Sequence, residues 1–141
     1  MACIEFTEIL EIYRPEIDDV KRVGNEFSNP DEEGACAAFS SQVQALEYGV
    51  AKVYQIAVRA ARKARTLEET AQVWNEVIRF CQAALQVLAG LKDKFPDCGT
   101  PQLYDLVLDY KLAADKRHQR IAEEMACQMT PFPEGLLPEP N

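Results

Sequence analysis

Histidine occurs once in this chain, at His118, and tryptophan once, at Trp74. A lone histidine excludes a carboxylate-bridged di-metal site within one protomer, because such helical bundles use two Glu-x-x-His motifs and further glutamates. The five cysteines (Cys3, Cys36, Cys81, Cys98 and Cys127) include no C-x-x-C pair and have no histidine at metal-site spacing. An odd set with long, irregular gaps reads as reduced thiols in a cytoplasm, with Cys81 as a small core residue. No stretch approaches the roughly 20 apolar residues a spanning helix needs, and Met1 to Leu10 lacks the basic and apolar regions of a secretion signal. The expected location is therefore cytoplasmic, without membrane association. Gly-x-Ser-x-Gly, P-loop and dinucleotide fingerprints are all missing. Basic residues are outnumbered, 15 against 23 acidic, and the net charge of -8 opposes nonspecific attraction to nucleic acid over the molecule as a whole.

The chain does contain one long periodic pattern. Phe39, Val43, Leu46, Val50, Val53, Ala57, Ala60, Ala64, Leu67, Ala71, Trp74, Ile78, Cys81, Leu85 and Leu88 follow each other at alternating steps of four and three, placing one apolar stripe on one side of a helix. A break is nevertheless predicted at Thr66. Thr66-Leu-Glu-Glu69 has the form of a capping box. Arg62, Lys63 and Arg65 suit the negative end of one helix dipole, and Glu68 and Glu69 suit the positive end of the next. The alternative is one helix of about 60 residues, a rod of roughly 90 Å.

Around this hairpin the remaining elements follow from similar signals. Phe6, Ile9, Leu10, Tyr13, Ile17, Val20, Val23 and Phe27 give the first segment a helical period, with a kink or a split expected at Pro15. The second helix is predicted over about residues 33–65. The third, which carries a second stripe of Val73, Val77, Phe80, Ala84, Val87 and Leu91, is the most buried. Thr100-Pro101 reads as an N-cap followed by proline at the first helical position, opening a fourth helix over about residues 101–128. The expected fold is all-α: an antiparallel up-and-down four-helix bundle formed by residues 1–128, then an extended Pro-rich tail, 129–141.

Folding the helices up and down gathers Arg59, Arg62, Lys63, Arg65, Lys116, Arg117 and Arg120 at one end, with His118 and Tyr110 nearby. Such a cluster suits phosphate, RNA or an acidic partner, unless Glu5, Glu8, Glu11, Glu68, Glu69, Glu123 and Glu124 neutralise it internally. Asp105, Asp109, Glu69 and Glu76 resemble, in general composition only, the carboxylates that hold Mg²⁺ in all-helical nucleotide pyrophosphohydrolases. Their positions mostly opposite the apolar stripe favour solvated surface. Tyr48, Val58, Tyr104, Leu108 and Leu112 lie beyond the main stripe, and Phe132, Leu136 and Leu137 give the tail apolar anchors for docking. These features point to a noncatalytic helical interaction module, an adaptor or accessory subunit. Its expected partner is a protein, with homo-oligomerisation an option, and neither cofactor nor metal is expected. A nucleic-acid-associated subunit using the basic end is the second reading, and a Mg²⁺-dependent nucleotide pyrophosphohydrolase the third.

Overall fold

In the computed structural model, residues 2–129 are described, with side chains described over residues 5–128. Four helices account for nearly all of them: α1 (Ala2–Glu26), α2 (Ala35–Lys63), α3 (Leu67–Leu91) and α4 (Thr100–Met129). The fold is an all-α bundle of up-and-down helices. Both α1 and α4 pack on the α2–α3 hairpin without approaching each other among the described residues, so the hairpin forms the middle of the bundle. The tail anchors Phe132, Leu136 and Leu137 lie outside the described residues.

The heptad pattern is divided between two helices. Ala64 is extended, with φ -64° and ψ 141°, and Thr66 caps α3 by accepting the Glu69 amide at 3.1 Å. The Glu69 carboxylate reaches back to the amide of Arg65 at 2.8 Å, one residue further than a standard capping box. Two backbone donors at the start of α3 are satisfied in this way, and the rod is replaced by a hairpin.

Pro15 lies inside α1, which continues through it as a single element. Proline lacks only one ladder donor, and the packing of Leu10, Ile17 and Val20, all buried on either side of it, holds the helix across the gap. The start of α4 also differs from expectation. Gly99, at φ 90°, accepts the Leu103 amide and occupies the cap position, while Thr100 is already helical and its buried Oγ1 has no hydrogen-bond partner. A positive φ is readily supplied by glycine, which accounts for the one-residue shift.

One continuous core joins all four helices. Phe39, Leu46, Val50 and Val53 of α2 meet Trp74, Val77, Phe80 and Leu88 of α3, with Phe6 and Leu10 from α1 and Leu103 and Val107 from α4. Phe95, in the turn after α3, stacks on Phe39 with ring centroids 4.3 Å apart and closes the far end. Cys81 is buried as expected, and burial pushes its thiol up to about 12, against a smaller opposing influence from Lys111. The remaining cysteines require a correction. Cys36 and Cys98 form a disulfide linking the start of α2 to the turn before α4, so the set is not wholly reduced. Their separation of 62 residues conceals a Cα–Cα distance of 5.6 Å that only the folded chain creates. The thiol argument for a cytoplasmic location falls with this pairing. No helix among the described residues is long and apolar enough to cross a membrane.

Candidate binding groove at the basic end

The end of α2, the beginning of α3 and the end of α4 meet at a groove of about 200 Å³ lined by Val58, Ala61, Arg62, Thr70, Trp74, Arg117, Arg120 and Ile121. Its floor is Trp74, only 2% exposed. The guanidinium of Arg117 lies over the indole, 5.0 Å from the ring centroid, and its Nε donates to the Tyr54 hydroxyl at 3.1 Å. Tyr54 in turn packs against Trp74 at 5.5 Å and Tyr110 at 5.1 Å. The attraction of a cation for an aromatic face, about 0.5–1 kcal/mol at an exposed site, combines with the hydrogen bond to hold an otherwise flexible side chain. With Nε engaged, the terminal nitrogens of Arg117 remain as donors.

Arg62 and Arg120 stand exposed on the two walls. Among the described residues, ion pairs are formed by Arg14, Arg22 and Lys111. None of the three groove arginines lies within 4.0 Å of a carboxylate of the described residues. The nearby Glu69 carboxylate is directed to the Arg65 amide. The groove thus combines three cationic side chains, an apolar wall of Val58, Ala61 and Ile121, and the first turn of α3, whose dipole presents its positive end.

The other basic residues occupy different surfaces. Arg59 and Lys63 face α1, where they line a separate depression of about 270 Å³ with Glu5, Phe6, Ile9, Ile56 and Ala60. Arg65 borders a third, of about 460 Å³, with Ala64, Thr66, Leu67, Glu68, Thr70, Met125 and Gln128. Lys116 is exposed on α4, and His118 is half-buried there. The seven-residue cluster is therefore distributed around the bundle end, with Arg62, Arg117 and Arg120 in one groove and Arg59 and Lys63 in another. Axial position along helices was legible in the sequence, but the angular position of each side chain depends on how the helices are rotated against each other.

The carboxylates disperse in the same way. Asp105 and Asp109 are exposed on α4, whereas Glu76 is buried, a departure from the solvated surface expected for it. Glu76 accepts from Gln72 at 2.9 Å and pairs with Arg14 of α1 at 3.5 Å, so it bridges α3 and α1. Among the described residues no group of three or more His, Cys, Asp or Glu side chains converges to hold a metal. Glu16 was not singled out by its sequence, yet its Oε1 is buried without a partner beside Gly49, and desolvation, followed by the charge of Asp19, raises its pKa. Of the apolar residues beyond the stripe, Tyr48 and Leu112 are 60% and 48% exposed, joined by Ile12 at 68%. Val58 and Tyr104 instead pack against the core. No known protein family matches this chain, and no curated protein or solved structure matches it either.

Proposed function

We propose that this protein is a noncatalytic helical interaction module whose basic groove receives an acidic segment of a partner protein. The observation that carries the reading is the set of three arginines in one groove with no carboxylate of the described residues within 4.0 Å, in a chain of net charge -8. Guanidinium groups match carboxylates as two parallel hydrogen bonds, and a guanidinium already held by an aromatic floor loses little freedom on binding. The aromatic arrangement favours a protein over a nucleic acid. Single-stranded RNA is gripped by stacking bases on open aromatic faces, whereas Trp74 is buried and Tyr54 and Tyr110 pack on one another.

The test is fluorescence anisotropy with a labelled acidic peptide, decaglutamate, and a labelled single-stranded RNA, each titrated at several salt concentrations. The peptide is expected to bind more tightly. Arg62→Ala and Arg117→Ala should each weaken binding by about 10- to 100-fold, the worth of a charged hydrogen-bond pair. Tighter binding of RNA, or peptide binding indifferent to both substitutions, would replace this reading.

A further inference from the structure

We infer that the groove is built for a phosphate monoester, and that the partner segment it receives carries a phosphorylated side chain. The inference rests on the reading of the groove as a site for an acidic partner. Its basis is the match between the number of cations and the charge of the ligand. Arg62, Arg117 and Arg120 line a space of only about 200 Å³. One carboxylate brings a single negative charge and two oxygens, which one guanidinium fork satisfies. A phosphate monoester brings roughly -1.5 to -2 charges and three acceptor oxygens, enough to engage all three arginines together.

The surroundings of the arginines bear on such a group in two respects. Thr70, in the first turn of α3, lines the groove, but Glu68 and Glu69 already meet the positive end of that helix dipole, so the arginines carry the charge match. The Thr70 hydroxyl donates to the Thr66 carbonyl and is not itself the anion's ligand. Beside the arginines, Val58, Ala61 and Ile121 form an apolar wall against which the carbon stem of a phosphorylated residue packs. Sulfate esters and phosphodiesters also have tetrahedral oxygens, but each carries a single negative charge and leaves the three cations incompletely balanced.

Trp74, the only tryptophan, forms the floor and serves as a built-in reporter through its fluorescence. The experiment titrates the full chain with degenerate decapeptide pools that differ only at a fixed central residue: phosphoserine, phosphotyrosine, aspartate, serine or sulfotyrosine. A short single-stranded oligonucleotide supplies the phosphodiester. One of the phosphorylated pools is expected to bind at least ~10-fold more tightly than the aspartate pool. This preference should be lost in Arg62→Ala and Arg120→Ala, both at exposed positions, and reduced in Arg117→Lys, which keeps the charge but not the fork. Equal binding of aspartate and phosphorylated pools would overturn the phosphate inference and leave the acidic-partner reading intact. Failure of every pool would overturn both. Equal or tighter binding of the sulfotyrosine pool or the oligonucleotide would overturn the phosphate monoester as ligand.

Discussion

Two glycines on neighbouring helices should respond oppositely to the same methyl group. A Cβ added at Gly24 would lie 2.7 and 2.9 Å from the two methyls of Leu91 and 3.1 Å from Cε1 of Phe39. Phe39 is fully buried and stacked on Phe95, and Leu91 is only 7% exposed, so both neighbours have little room to yield. Overpacking of this kind costs about 1–3 kcal/mol, against a helix-propensity gain of about 1 kcal/mol, and Gly24→Ala should destabilise the fold by up to about 2 kcal/mol. At Gly49 the new methyl would overlap the Glu16 carboxylate, with Tyr13 at an ordinary 3.4 Å. That carboxylate is the far end of a flexible side chain, and its buried oxygen has no partner. Moving it into water relieves its desolvation, so Gly49→Ala should be neutral or stabilise by up to about 1 kcal/mol.

The pH dependence gives this comparison a second readout. Burial raises the folded-state pKa of Glu16 above its ordinary value of 4.5, so the neutral carboxyl suits the fold better than the charged one. Its contribution to stability is complete below the unfolded pKa and is lost as pH rises through the folded pKa. Releasing the side chain removes that dependence, and the advantage of Gly49→Ala over the parent should be larger at neutral pH than near pH 4. Urea unfolding followed by far-UV circular dichroism, with midpoints and slopes compared, measures both effects. A Gly49→Ala variant less stable than Gly24→Ala would refute the packing argument.

Thr66→Ala should lower stability by about 0.5–2 kcal/mol in the same unfolding assay, because the Glu69 amide loses its acceptor, while Thr66→Asp should retain most of it. Alkylation mapped by mass spectrometry should modify exposed Cys127 promptly at pH 8 and leave Cys81, buried and with its thiol pushed up to about 12, untouched until the chain unfolds. Under oxidising conditions, replacing Cys36 and Cys98 together by alanine should cost about 2–4 kcal/mol; no change in unfolding midpoint would show that the cross-link does not constrain the unfolded chain.

The architecture was largely legible because apolar periodicity and end signals agree. The stripe from Phe39 to Leu88 supplies buried core residues to both α2 and α3, among them Phe39, Val43, Leu46, Trp74, Cys81 and Leu88, and Thr66 with Glu69 predicts where the two helices part. Less legible were features that depend on contacts between distant positions. The tolerance of Pro15 inside α1 comes from flanking core residues, and the Cys36–Cys98 pairing and the Arg14–Glu76 bridge join positions 62 apart. No apolar period covers the turn after α3, yet Phe95 in that turn is fully buried and fills the core end. The groove was half visible: the sequence places Arg62, Arg117 and Arg120 at the same level, but their separation from Arg59, Lys63 and Arg65 depends on helix rotation.

The central claim is that an acidic partner segment is held between Arg62, Arg117 and Arg120 above Trp74. Its most direct test is a heteronuclear NMR titration of the full chain with decaglutamate, following every backbone amide and the single indole N–H. The predicted changes concentrate at the Trp74 indole and at the amides of Ala61, Arg62, Thr70, Arg117, Arg120 and Ile121. Changes centred instead around Ile12 and Tyr48, or spread evenly over all the basic residues of the bundle end, would contradict it.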